Sequence, residues 1–246
     1  MNSTSFIQVL KLKYSAALLI LLLTSFSGCY KANESPKYNP YKLGLIQTIE
    51  AHNVQVASNP LTKMEDLQKI KGLVLDIRYA TTNNFTGKVI YTTPKAYARK
   101  PVFDALKNVQ DSLSKLNLGI KIFDAYRPYA ATLKFHEVYP DTNFVANPRS
   151  GSRHNRGCAI DLTLIDLVTG KEIQMPTEFD NFTEKAHKDY PDLPDSVLAN
   201  RKLLLDIMSH FGFTCIGSEW WHYDFNGWQN YKLMDLSFEE LEKSIK

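Results

Sequence analysis

The sequence predicts an α+β domain built on a central antiparallel or mixed sheet with flanking helices. Three observations lead there. Apolar, β-branched runs at 72–79, 120–126 and 158–165 have the length and composition of strands. Two longer stretches, 96–116 and 196–211, carry apolar residues at helical spacing. The two kinds of element do not follow the βαβ rhythm of a doubly wound sheet, because irregular segments separate the last strands.

Taken in order, residues 30–62 hold Pro36, Pro40 and Pro60 among Lys, Asn, Ser and Tyr, and they read as a linker with a short helix over 44–52. The domain is expected to span 63–246. Residues 64–70 read as a short helix and 72–79 as a strand, followed by a loop at 81–87 rich in Asn and Thr and a second short strand at 88–91. In 96–116, Val102, Leu106, Val109 and Leu113 fall on one helix face, and Gly119 follows near the C-cap. A strand at 120–126 stops at Arg127-Pro128, and a helix over 129–138 follows. After a loop at 140–151 comes the strand 158–165. The helix 196–211 presents Val197, Leu204, Ile207, Met208 and Phe211 and is capped by Gly212. Tyr223 to Phe225 reads as a strand, and 237–246 as a charged tail of one or two helical turns.

The chain has 246 residues, 44% hydrophobic and 22% charged, which are ordinary globular values. A formal charge of +3 with scattered Lys and Arg gives no nucleic-acid footprint. There is no internal repeat and no glycine-rich phosphate loop. The N-terminus differs. Lys11 and Lys13 precede an apolar run, 14–26, of signal-peptide length, too short for a comfortable membrane span. It ends at Ser27-Gly28-Cys29, which resembles a bacterial lipoprotein signal in which Cys29 is lipidated. Phe26 stands where leucine is usual, so an uncleaved anchor and plain secretion stay open. Each of these readings exports the chain to the bacterial periplasm or cell envelope. Cys158 and Cys215 are then left, each beside one motif, bridged or free.

The stretch 150–163 carries the chemistry. His154 and Asp161 lie seven positions apart with Gly157 between them, and Asp161 sits inside an apolar alternation where a bare charge is costly. A cation would offset that cost. Near the C-terminus, Glu219-Trp220-Trp221-His222-Tyr223 supplies a second histidine and a carboxylate. Zinc catalysis needs about three protein ligands, an open position and a base. His154, Asp161 and His222 can be the ligands and Glu219 the base. Spacing alone leaves structural histidines as an alternative, since the chain has six. Trp220 and Trp221 read as core or pocket wall.

Ser152-x-His154-x-x-Gly157-x-Ala159-x-Asp161, with Glu219-x-x-His222 after it, is similar to the zinc D-alanyl-D-alanine dipeptidases. These are the VanX-like members of the group that also contains zinc D-Ala-D-Ala carboxypeptidases. Asp76 to Thr81 with Asn84 to Gly87 resembles the opening signature of these dipeptidases, and Asp124-Ala125-Tyr126-Arg127-Pro128 their arginine motif. The likeness runs from about residue 64 to 230 in the same order. It implies a Hedgehog/DD-peptidase-like fold and one Zn²⁺ per chain on His154, Asp161 and His222. It also implies Glu219 as catalytic base and acid, and Arg127 as the stabiliser of the oxyanion. Asp180 would hold the ammonium of the D-Ala-D-Ala substrate, with Ser152 and Tyr79 lining the pocket. The segment from Arg127 to His154 looks shorter than in the resistance enzymes, which predicts a differently covered site. Two rivals share these residues: a zinc carboxypeptidase or endopeptidase acting on peptidoglycan stem peptides, and a non-catalytic metal-binding module.

Overall fold

The computed structural model describes residues 37–142 and 145–245. The signal-like stretch with Cys29, and the start of the expected linker, lie outside the described residues. The fold is organised on β5, Ala159–Asp166, which is buried along all but its last residue. Its apolar run is long because it is covered on both faces. β5 pairs antiparallel with β4, Leu118–Asp124, on one side and with β7, His222–Phe225, on the other. β2, Val74–Leu75, adds parallel to β4, and β6, Phe213–Cys215, adds antiparallel to β7. The sheet is therefore mixed, in the order β2-β4-β5-β7-β6. A separate pair joins β1, Met64–Asp66, to β3, Tyr97–Arg99.

The long helices follow their apolar faces. In α2, Lys100–Ser114, the buried residues include Val102, Leu106, Val109 and Leu113, as the spacing predicts. In α4, Asp195–His210, they include Val197, Leu204 and Met208. α3, Tyr129–Val138, begins after Pro128 and buries Tyr129, Ala131, Thr132 and Phe135. The last helix, α5, Phe238–Ile245, starts with a reciprocal cap: Ser237 Oγ accepts from Glu240 N–H at 3.1 Å, and Glu240 Oε2 accepts from Ser237 N–H at 2.6 Å.

Several local expectations are corrected by non-local pairing. Residues 64–70 are a strand and a 3₁₀ turn rather than a helix, because the backbone of Met64–Asp66 finds β3. The helix expected from residue 96 starts at Lys100, with Pro101 in its first turn and β3 ahead of it. The strand expected over 72–79 shrinks to Val74–Leu75. The run 88–91 is no strand: the N–H groups of Ile90 and Tyr91 both donate to Tyr79 O at 2.9 Å. The described part of the linker, 37–62, belongs to the domain. It forms α1, Ile49–Ser58, Ile46 bridges Met234, and Lys37 Nζ meets Glu240 Oε2 at 2.6 Å. The C-terminal segment is likewise no free tail, since Phe238 and Leu241 are core residues. Cys158 and Cys215 are free, buried thiols.

Candidate active site

Strand register builds the site. It sets Asp124 of β4 opposite Asp161 of β5, and Asp161 opposite His222 of β7. Directly opposed residues share a sheet face. An irregularity between Ile122 and Asp124 supplies the extra residue that brings Asp124, rather than Phe123, into this row. His154 enters from the 3₁₀ turn His154–Arg156 just before β5. Ser152 Oγ accepts from His154 N–H at 3.1 Å. Gly157 closes the turn at φ 71°, and a Cβ there would lie 2.9 Å from Met64 Cε. Both the backbone angle and the space select glycine.

The polar partners of each imidazole leave one nitrogen facing inward. His154 Nδ1 lies 2.7 Å from the carbonyl oxygen of Ala125, which can only accept, so Nδ1 carries the hydrogen and Nε2 is bare. His222 Nε2 lies 3.0 Å from Asp224 Oδ1, so its Nδ1 is the inward nitrogen. These two nitrogens are 3.2 Å apart. Asp161 Oδ1 is 2.9 Å from His222 Nδ1 and 3.5 Å from His154 Nε2, and it is buried without a directed hydrogen bond. A tetrahedral zinc with bonds of about 2.0–2.1 Å sets its ligand atoms about 3.3 Å apart. The triangle of donors matches that spacing, and carboxylate plus imidazole is a zinc donor set. Burial pushes His222 down, but the carboxylates of Asp161 and Asp224 outweigh it and hold the ring at about 10. Asp161 is held below the usual carboxylate range, because His154 and His222 overcome its burial.

Glu219 and Arg127 face the same space. Glu219 Oε2 is 3.7 Å from His222 Nδ1, and burial pushes its carboxyl up to about 7 against the pull of His222. That leaves Glu219 outside the ligand triangle with a proton affinity suited to moving a proton at neutral pH. Arg127 sends Nε and Nη2 to Asp124 Oδ2 at 3.0 and 2.8 Å. Its guanidinium lies 4.6 Å from the Phe135 ring centroid and 5.5 Å from that of Tyr79. Asp124 Oδ1 in turn takes Tyr91 OH at 2.8 Å and Ala125 N–H at 2.9 Å. Burial alone would lower the Arg127 pKa, but Asp124 with Tyr91, Tyr79 and Asp161 together outweigh it, so the side chain stays cationic.

Asp180 takes the left-handed backbone at φ 60° and accepts from Tyr79 OH, 3.1 Å from each carboxylate oxygen. Burial, and then the charge of Asp161, push its carboxyl well above the usual range. The candidate ligand, catalytic and substrate-binding residues among those described all line one cavity of about 430 Å³: Tyr79, Arg127, Ser152, His154, Asp161, Asp180, Glu219 and His222. Trp221 is part of its wall and Trp220 is core, with Nε1 on Thr177 Oγ1 at 3.0 Å.

Sequence reasoning missed three supports. Asp224 orients His222, and its position two residues on along a strand was the available signal. Asp124 anchors Arg127 and stood inside the arginine motif without a role. Asn155 is fully buried; its Nδ2 donates to Arg127 O at 2.9 Å and its Oδ1 accepts from Ser152 N–H at 2.7 Å, tying the arginine to the histidine turn. Nothing local in the sequence announces that role.

A sequence profile described as D-ala-D-ala dipeptidase matches residues 61–240. The chain is similar to the D-alanyl-D-alanine dipeptidase of Escherichia coli (strain K12), 36% identical over 178 residues, or 72% of this chain and 92% of that one. It is similar to the D-alanyl-D-alanine dipeptidase of Enterococcus faecalis (strain ATCC 700802 / V583), 32% identical over 63% of this chain and 87% of that one. Among solved structures, the LdcB LD-carboxypeptidase aligns at a TM-score of 0.36 and 22% identity, over 61% of this chain and 70% of that one.

Proposed function

The chain belongs to the D-Ala-D-Ala dipeptidase family of peptidases, and from that membership we propose that it hydrolyses the D-Ala-D-Ala dipeptide with a zinc-activated water, in cell-wall metabolism or glycopeptide resistance. One observation carries the reading. A single cavity combines a three-donor metal triangle, a buried carboxylate outside that triangle, a buried arginine and a separate carboxylate, Asp180, for an ammonium.

His154, Asp161 and His222 would hold the zinc, which would supply Lewis-acid polarisation of the scissile carbonyl and a lowered pKa for a water. The protein's own residues do the rest. Glu219 takes the proton from the attacking water and passes it to the leaving amine. General acid–base transfer of this kind contributes about 10²–10⁴-fold. Arg127, fixed by Asp124, donates to the negative charge that develops on the carbonyl oxygen. One such donor is worth about 10²–10³ in kcat. Asp180, held by Tyr79, pairs with the substrate's ammonium and sets how far the peptide can extend. Ser152 Oγ, already accepting from His154 N–H, keeps its own hydrogen for the substrate.

Asp180 favours a dipeptidase over a carboxypeptidase or endopeptidase, which would share every metal residue. The test is hydrolysis of D-Ala-D-Ala, N-acetyl-D-Ala-D-Ala and a stem pentapeptide by the zinc-loaded protein. Cleavage restricted to the free dipeptide is expected; comparable cleavage of the blocked or longer peptide would place the chain among the carboxypeptidases.

Export as a lipoprotein through Cys29 is part of the same proposal, and it rests on the sequence of residues 1–29 alone. Incorporation of a labelled fatty acid into the full chain, lost in Cys29→Ala, is expected. Release of unlabelled protein from cells would leave plain secretion.

A further inference from the structure

Arg153 and Arg156 flank the motif histidine and lie against one ring. Their guanidinium carbons stand 4.9 and 5.4 Å from the centroid of Trp228, and all three residues line the catalytic cavity. Arg153 Nε is 3.2 Å from Asp224 Oδ2, while Asp224 Oδ1 is already occupied by His222 Nε2–H. Arg156 gives Nη1 to the carbonyl oxygen of Tyr231. One carboxylate, that of Asp224, therefore serves both Arg153 and His222, while Arg156 bonds a backbone carbonyl. Burial, and the charge of Arg153 beside it, hold Arg156 below the usual arginine range. Arg153 remains 45% exposed, and its Nη groups have no partner among the described residues. It is an arginine fixed on two sides, by Asp224 and by Trp228, with its bidentate edge unused.

The same cavity is also lined by a carboxyl group, that of Asp180. Asp180 is bonded to Tyr79, whose ring packs on Phe85, Phe135 and Phe179. Arg153 reaches the site through Asp224, on the side of His222 turned away from the metal triangle. A zwitterionic peptide lying across the metal site finds an anion for its ammonium and a cation for its other end. We propose that Arg153, backed by Arg156 on Trp228, binds the α-carboxylate of the substrate's C-terminal residue and so selects peptides whose leaving residue is a free acid. This rests on the dipeptidase reading, and it adds a second charge requirement to the one set by Asp180.

The experiment compares D-Ala-D-Ala with D-Ala-D-alaninamide on zinc-loaded wild type, Arg153→Gln and Arg153→Lys. The wild type is expected to prefer the free acid by about tenfold or more in kcat/KM, the worth of one charge-assisted hydrogen bond. In R153Q the preference collapses through a raised KM for the acid, and R153K keeps part of it. A loss in R153Q that is equal for acid and amide, with less zinc retained, would assign Arg153 to the support of Asp224 alone and overturn the proposal. So would a wild type that cleaves both equally. If the wild type cleaves neither, the dipeptidase reading fails, and calorimetry judges the anion site separately. D-alanine, but not D-alaninamide, is then expected to bind wild type about tenfold tighter than R153Q, and equal affinities would overturn it.

Discussion

Asp161 and His222 face each other across β5 and β7, with Oδ1 and Nδ1 2.9 Å apart and His154 Nε2 closing the triangle. Electron-pair donors at this separation repel one another unless a cation or a proton sits among them. Zinc binding and folding are therefore coupled. At free zinc a thousandfold above its Kd the gain in stability is about 4 kcal/mol. Thermal unfolding of the metal-free protein with and without added zinc should show a clear rise in Tm. The rise should disappear in Asp161→Ala and His154→Ala.

Glu219 lies beside the triangle without belonging to it. Glu219→Gln should lower kcat by about 10²–10⁴-fold while elemental analysis still finds one zinc per chain. A variant that loses its zinc would make Glu219 a ligand; one that keeps near-normal turnover would remove it from the chemistry.

Asp124 and Arg127 form a buried ion pair, 1% and 7% exposed. Asp124→Ala leaves the guanidinium uncompensated and should destabilise the fold by about 3–5 kcal/mol. Tyr91→Phe removes one neutral donor from the same carboxylate and should cost only about 1 kcal/mol. Denaturant unfolding separates the two, and similar losses would contradict this picture of the network.

Asp180 gives a pH signature. Its carboxyl is raised above its ordinary value by burial. Between those two values the folded chain keeps a proton that the unfolded chain has released, so stability falls as pH rises through that window. Asp180→Asn removes the slope and should gain on the wild type as pH rises above the ordinary aspartate value of about 4. The same variant should raise KM for the free dipeptide. Parallel stability curves would show that Asp180 carries no strain.

The fold and the site were unequally legible. Helical faces such as Val102, Leu106, Val109 and Leu113 are local patterns, and the sequence reading located them. The metal triangle was legible because its motifs hold residue types that an apolar strand does not otherwise keep, as Asp161 shows. What was missed is non-local. Met64–Asp66 has helix-forming residues yet pairs with β3, and residues 37–62 look like a linker because their partners, Met234 and Glu240, lie near the far end of the chain. The row Asp124, Asp161 and His222 depends on strand register and on an irregularity after Ile122, and neither has a signature in a single sequence.

The most direct measurement is turnover of D-Ala-D-Ala by the purified protein, first as loaded with zinc, then after chelation, then after zinc is restored. The account predicts release of D-alanine by the loaded protein, loss of activity on chelation, and recovery at one zinc per chain with His154 and His222 intact. Release that persists after the metal has been removed, or none from the fully loaded protein, would contradict it.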